Sequence, residues 1–238
     1  MGGGSSPRLE PLLAAGRSLG PLGVGLDSAL AAEHPPARYD RHAPIYDRLI
    51  ANRAYNGLLW GLDPAAYRAF AAEAVATGSG PLLDAGCGTA VFTADAYRAA
   101  SRPLVLTDLS RAMLERAVGR LQGAPAALVQ ADIYDLPFRP QSFSTVVCFT
   151  MLHVLDDPWA ALTAVREHLA PGGAFFASML VDDRAVGRAY MRVLRRSGEL
   201  GPPRSARDLA EAARDAFGHD ATVDLERTGS AAWLRVRT

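Results

Sequence analysis

The side chains best placed to do chemistry in this chain are carboxylates set at intervals along a run of alternating apolar and helical segments. Asp84 stands two residues ahead of a glycine turn, in Leu82-Leu83-Asp84-Ala85-Gly86-Cys87-Gly88-Thr89-Ala90. Gly86 and Gly88 have no Cβ, so a ligand can approach the backbone closely, and the helix that follows offers free amides. The third glycine of the dinucleotide-binding pattern would fall at position 91, where the residue is Val91. An acidic group just before such a loop opposes a pyrophosphate and suits a positively charged ligand. Asp108 ends the next apolar run, 20 residues after Gly88, where a carboxylate can accept from two ribose hydroxyls. Asp132 closes the third run, in Gln130-Ala131-Asp132-Ile133. It can accept from the exocyclic amine of an adenine whose ring packs on Ile133. Each Asp alone reads equally as a helix cap or a solvated loop residue. Together, at three successive strand ends, they describe a pocket for a cationic adenosine ligand.

Other candidates are single residues. His153 follows the fourth apolar run, in Phe149-Thr150-Met151-Leu152-His153, and imidazole titrates where a general base is useful. His42 and Asp182 are weaker candidates for the same role. Arg38-Tyr39-Asp40 and Ile45-Tyr46-Asp47 repeat a Tyr-Asp pair seven residues apart, which on one helix would share a face. Tyr55 and Trp60 could line an acceptor cavity or pack in a core. Cys87 and Cys148 read as small buried residues rather than nucleophiles. Arg188, Arg192, Arg195 and Arg196 read as a solvated helix face, or as contacts for an anionic acceptor.

The elements that must carry these residues follow from pattern and punctuation. Residues 1–37 are rich in Gly, Ala, Pro and Ser and are expected to be poorly ordered. Residues 38–80 are expected to form a helical segment ahead of the core. In it Asp63-Pro64 starts a helix that stops at Gly78-Ser79-Gly80. From residue 81 to 238, strands at 82–85, 104–107, 126–130, 144–149 and 174–180 alternate with helices at 91–100, from Ser110 to Leu121, and from Asp157 to Leu169. Two further helices, at 184–196 and 206–217, precede a hairpin whose turn is Gly229-Ser230. The fold class is α/β, a parallel sheet wrapped by helices, with an antiparallel strand at its end.

Composition removes several alternatives. The 238 residues carry 25 basic and 25 acidic side chains and two cysteines. Every basic residue of that set is arginine, so lysine Schiff-base chemistry and a Walker-type lysine are excluded. Two distant cysteines support neither a disulfide framework nor a Cys-based zinc site, and no metal is expected. Balanced charge gives no electrostatic case for nucleic acid or an anionic membrane. No secretory signal or membrane-spanning run is recognisable, so a cytoplasmic monomer or homodimer is expected.

LLDAGCGTA, VLTDLSRAML, QADIYDLPF, SFSTVVCFTMLHVLDDP and LAPGGAFF, in that order, resemble the class I S-adenosylmethionine-dependent methyltransferases of the small-molecule, type 11-like kind. The resemblance implies a Rossmann-like three-layer αβα sandwich with a seven-stranded, mostly parallel sheet whose last strand is antiparallel. It implies S-adenosyl-L-methionine as cofactor and a small-molecule methyl acceptor, methylated on oxygen or carbon. By the same resemblance Asp84, Gly86, Gly88 and Thr89 hold the methionine part, Asp108 with Leu109 the ribose, and Asp132 with Ile133 the adenine. Phe149 and Thr150 line the sulfonium, and Tyr39 and Tyr46 close a lid. Ala90 replaces the motif's third glycine, and Ser144 stands where the family often has Asp. No Asn/Asp-Pro-Pro-Tyr/Phe motif follows the fourth strand, which counts against acceptors on DNA bases. A non-catalytic protein that binds the same cofactor, with a regulatory or scaffold role, is the alternative.

Overall fold

Apolar runs too short for helices, each closed by Gly, Pro or Asp, become strands covered on both faces. The computed structural model describes residues 9–31, 37, 40 and 43–238, with 43–46 described by their backbone. The strands are β1 (Gly20–Gly23), β2 (Leu26–Ser28), β3 (Leu82–Ala85), β4 (Leu104–Asp108), β5 (Ala126–Gln130), β6 (Phe143–Phe149), β7 (Leu169–Leu180), β8 (Thr222–Thr228) and β9 (Ala231–Arg237). The helices are α1 (Ala43–Ile50), α2 (Arg53–Tyr55), α3 (Pro64–Ala76), α4 (Ala94–Arg98), α5 (Arg111–Arg120), α6 (Pro158–Glu167), α7 (Ala185–Arg196) and α8 (Ala206–Phe217), with a π turn at Asn56–Trp60.

One sheet of nine strands runs β1-β2-β5-β4-β3-β6-β7-β9-β8. Strands β2 to β7 pair in parallel, whereas β9 is antiparallel to both β7 and β8. Neighbouring residues on a strand feed opposite layers. Leu83, Val105 and Val146 pack with α6 and α8, while Leu82, Leu104 and Val147 pack with α3, α5 and α7. The caps expected from sequence are present. Asp63 accepts from the amide of Ala65, Ser110 from Met113 and Asp157 from Ala160.

Two expectations need correction. The sheet has nine strands rather than seven, because residues 9–31 are not without structure. Leu9 and Leu26 are buried, and Leu13 bridges to Phe138. β1 and β2 form a hairpin whose inner strand joins the open edge of β5. The helix after the glycine turn begins at Ala94 rather than Val91, because Ala90 takes a left-handed conformation (φ 55°) and residues 90–93 coil before helix geometry is reached.

At the amino ends of the parallel strands, buried Arg102 ties several elements together. Its guanidinium donates to the carbonyls of Gly80 (2.7 Å) and Thr77 (2.5 Å) and to the hydroxyls of Ser144 (2.7 Å) and Thr145 (3.0 Å). Ser144 is thus a partner of this arginine. At the carboxyl ends, β4 and β6 leave β3 on opposite sides, so a crevice opens there, where α/β sheets bind ligands.

Candidate cofactor and acceptor site

The crevice is one cavity of about 780 Å³, reaching from the glycine turn to α7. Asp84, Gly86, Gly88, Thr89, Asp108, Leu109, Asp132, Ile133, Phe149, Thr150 and His153 all line it. Tyr39 and His42 lie outside the described residues, as does the Tyr46 side chain. Asp182 is absent from the lining.

The turn after β3 is held from below. The amides of Gly86 and Cys87 both donate to the carbonyl of Thr107, at 2.8 and 2.9 Å, and that of Ala90 to Cys87. The Gly88 amide donates to Asp108 Oδ2 (2.8 Å), and the Ser110 amide to Asp108 Oδ1 (2.8 Å). The amides of Gly86, Cys87, Gly88 and Ala90 are therefore occupied, which weakens the turn itself as a cradle for a pyrophosphate. A carboxylate has about four acceptor sites, so Asp108 retains capacity for two hydroxyls. Burial raises its pKa while the two amides oppose the rise.

Asp84 is almost fully enclosed, at 1% exposure. Its Oδ2 accepts from the Tyr97 hydroxyl (2.7 Å), and its Oδ1 has no protein partner. Burial pushes its pKa up to about 7; the Tyr97 hydrogen bond acts against this and the charge of Asp108 with it. An unpaired buried carboxylate oxygen on a residue that borders a cavity invites a donor or a cation. Beside it, Gly88 has φ 54° and open space where a Cβ would stand, while a Cβ on Gly86 would meet Met151 Cγ at 2.5 Å. These residues fit the methionine end of S-adenosylmethionine. Asp132, just beyond β5, accepts from the Tyr134 amide through Oδ1 (3.0 Å).

His153 lines the cavity half-buried, but its chemistry differs from expectation. The Leu180 amide donates to Nδ1 (3.3 Å), so the neutral ring carries its proton on Nε2. Burial lowers its pKa to about 4. A base works best with a pKa near the working pH, and burial moves this imidazole away from it. Thr150 beside it is left-handed (φ 54°), with its amide donating to the carbonyl and hydroxyl of Ser178.

The carboxylates of the two Tyr-Asp pairs, which the sequence reading passed over, bond to the core. Asp40 accepts from the Ser110 hydroxyl (2.5 Å) and the Ala112 amide (3.2 Å) at the start of α5. Asp47, on α1, accepts from the Thr89 hydroxyl (2.5 Å) and pairs with Arg120, which also donates to the Thr89 carbonyl (2.7 Å). The signal was the repeat itself; the partners of its carboxylates are decided by tertiary packing.

The far wall comes from the π turn and α7. The Asn56 side chain donates to the carbonyls of Ile50 (2.7 Å) and Asn52 (2.8 Å), which holds the widened turn, and π turns gather at functional sites. The turn brings Trp60 against Tyr55 and Tyr190. Among the described residues no arginine lines the cavity. Those of α7 at positions 188, 192, 195 and 196 are on its outer face, as the solvated reading expects.

Residues 83–177 match the family model described as a methyltransferase domain. Over that segment, about two fifths of its length, the chain is similar to methyltransferase domains. A ubiquinone/menaquinone biosynthesis C-methyltransferase of Desulfotalea psychrophila is 34% identical over 136 residues, 57% of this chain and 53% of that protein. A mitochondrial arginine-hydroxylase of Danio rerio is 31% identical over 98 residues, 41% of this chain and 30% of that protein. This chain thus spans about half or less of the length of these curated relatives. The fold is shared with a solved S-adenosylmethionine-dependent methyltransferase from Thermotoga maritima. It has TM-score 0.64 and 18% identity, with 84% of this chain and 97% of that one covered. The matched segment of the methyltransferase domain holds Asp84, Asp108, Asp132 and His153. The aromatic wall at Tyr55, Trp60 and Tyr190 falls outside it.

Proposed function

We propose that the protein is a cytoplasmic enzyme that moves a methyl group from S-adenosylmethionine to a small organic molecule, on oxygen or carbon. The observation that carries this reading is a single cavity in which a half-partnered, buried Asp84 adjoins an aromatic chamber. Its volume lies within the range of small-molecule sites, roughly 300–1,000 Å³. The cofactor when bound supplies an activated methyl on a sulfonium, so the chain has to align the acceptor and exclude water.

Asp84 takes the cofactor's ammonium, with the open backbone of Gly86, Gly88 and Thr89 along the methionine chain. Asp108 and Leu109 hold the ribose, and Asp132 and Ile133 the adenine. Phe149 and Thr150 border the reacting methyl, where His153 Nε2–H can orient an acceptor oxygen. Residues 38–80 act as a lid over this arrangement. Asp40 and Asp47 are its fastenings, and Tyr39 and Tyr46 close over the cofactor.

Titration calorimetry with S-adenosylhomocysteine tests the reading. The parent protein binds, and Asp108→Ala binds at least tenfold more weakly. No binding by the parent sinks the proposal. Binding without any release of S-adenosylhomocysteine, from S-adenosylmethionine and a broad acceptor panel, would instead favour the non-catalytic alternative.

A further inference from the structure

One threonine in the cavity wall carries a hydroxyl that the fold does not use. Thr93 immediately precedes α4, lines the cavity and is 5% exposed. It occupies the cap position, where a threonine hydroxyl ordinarily accepts from an amide of the first helical turn. Here the residue already has helix-like angles (φ −103°, ψ −19°), and its side chain makes no capping bond. Thr93 Oγ1 is buried without a hydrogen-bond partner. A buried hydroxyl left unmet disfavours the folded state, and in a cavity wall it is a group that a ligand can satisfy. The neighbouring threonines differ. Thr89 Oγ1 donates to Asp47 Oδ1 (2.5 Å), and Thr107 Oγ1 donates to the Asp84 carbonyl (3.3 Å).

Tyr97 relates Thr93 to Asp84. The Tyr97 amide donates to the Thr93 carbonyl (2.9 Å), and residues four apart share a helix face. From that face the buried Tyr97 ring reaches β3, where its hydroxyl donates to Asp84 Oδ2 (2.7 Å). Thr93 lies close enough to this phenol to oppose the rise that burial and Asp84 impose on its pKa, yet its Oγ1 forms no bond there. Asp84 and Thr93 thus adjoin one phenol, and each keeps one oxygen unpartnered. Both line the cavity together with Gly86 and Gly88.

Two unmet oxygens, one of them on a carboxylate, suit a group that brings several donors and a positive charge. An ammonium brings three donors and no acceptor. A carboxylate placed there would be repelled by Asp84. We propose that Thr93 Oγ1 is a second seat for the ammonium of the cofactor's amino-acid end, shared with Asp84 Oδ1. Asp84 supplies the charge. The Thr93 hydroxyl turns about a single bond, so it supplies a neutral acceptor that can follow the ammonium as it enters. The inference rests on the methyltransferase reading for the identity of the ligand, and it makes Thr93 a residue that selects for the amine.

The test is calorimetry at pH 8 with three ligands that differ only at the amino-acid end. They are S-adenosylhomocysteine, 5′-S-(3-carboxypropyl)-5′-thioadenosine, which lacks the amine, and 5′-S-(3-aminopropyl)-5′-thioadenosine, which lacks the carboxylate. Thr93→Val keeps the shape and removes the hydroxyl. It should weaken both amine-bearing ligands at least fivefold and leave the carboxypropyl ligand within twofold of the parent. Thr93→Ser should bind all three within twofold of the parent. In the free protein Thr93→Val should unfold at a urea concentration no lower than the parent, because it removes a hydroxyl that had no partner. Unchanged binding of S-adenosylhomocysteine by Thr93→Val overturns the seat, as does an equal loss for all three ligands, which would mark a packing role. A loss confined to the ligands that carry the carboxylate also overturns it. So does a lower urea midpoint, which would mean that the hydroxyl is bonded within the free protein. If the parent binds none of the three, the methyltransferase reading falls and the seat with it, whereas binding indifferent to Thr93 removes the seat alone.

Discussion

Replacing Asp84 by Asn should make the protein more stable and less able to hold its cofactor, and both effects should depend on pH. In the unfolded chain this carboxyl has its ordinary pKa of 3.8, whereas the fold raises it to about 7. The folded state therefore keeps its proton over a range where the unfolded state has lost it. A raised acid leaves stability untouched below about pH 4, erodes it between 4 and 7, and imposes the full cost above 7. At about 1.4 kcal/mol per tenfold shift in acidity, that cost is on the order of 4 kcal/mol. Asn has nearly the same shape and can still accept from Tyr97. Urea denaturation should find Asp84→Asn more stable than the parent by a few kcal/mol at pH 8, with the gap closing towards pH 4.5. The same proton governs ligand entry. About one-eleventh of Asp84 is ionised at pH 6 and ten-elevenths at pH 8, given a value near 7. S-adenosylhomocysteine should thus bind the parent about tenfold more tightly at pH 8. The variant should bind weakly at both, its remaining pH dependence being that of the ligand itself. A parent affinity flat between pH 6 and 8, or a variant no more stable at pH 8, would refute the assignment of a cation-seeking carboxyl to this position.

Other consequences follow from single contacts. Ala90 sits at φ 55°, a conformation that costs a side chain roughly 1–2 kcal/mol. Allowing for glycine's looser unfolded chain, Ala90→Gly should raise the urea-unfolding free energy by about 1 kcal/mol. Asp47→Ala removes the partner of Thr89 and Arg120. A charge-assisted bond of this kind is worth about 1.5–3 kcal/mol, so the α1 segment should be cut by protease at about tenfold lower dose, with S-adenosylhomocysteine restoring protection. His153 is held as the Nε2–H tautomer with its pKa lowered to about 4. Its ring nitrogens should show no titration between pH 5.5 and 8 by NMR, and a midpoint near 6.5 would contradict the geometry.

The parallel core was readable because its signals are local. A strand that is apolar on both faces, an Asp or Ser before a helix and a glycine after one need no distant partner to be recognised. Asp84, Asp108 and Asp132 were readable for the same reason, as each ends such a strand. The N-terminal hairpin was missed because Gly20-Pro21-Leu22-Gly23 looks like linker until β5 offers an edge. The bonds that hold the glycine turn were not legible, because the acceptors of the Gly86, Cys87 and Gly88 amides, Thr107 and Asp108, arrive on another strand. The tautomer of His153 was not legible, since the Leu180 amide that bonds its ring lies 27 residues away. Trp60 and Tyr55 could not be assigned from pattern alone, because a wide turn and a core-facing helix bury the same residue types.

The seat of Arg102 says something about how this sequence can be rewritten. Its guanidinium reaches carbonyls at the end of α3 and before β3 as well as two hydroxyls of β6, none of them charged. An ammonium has three donors and no planar fork, so lysine here would strand several of those acceptors. Exposed arginines such as Arg207 make only a local ion pair and could accept lysine freely. A chain that has no lysine at all therefore offers a clean background for attaching amine-reactive probes one site at a time. Arg102, at the end of the sheet opposite the cavity, marks where such editing must stop.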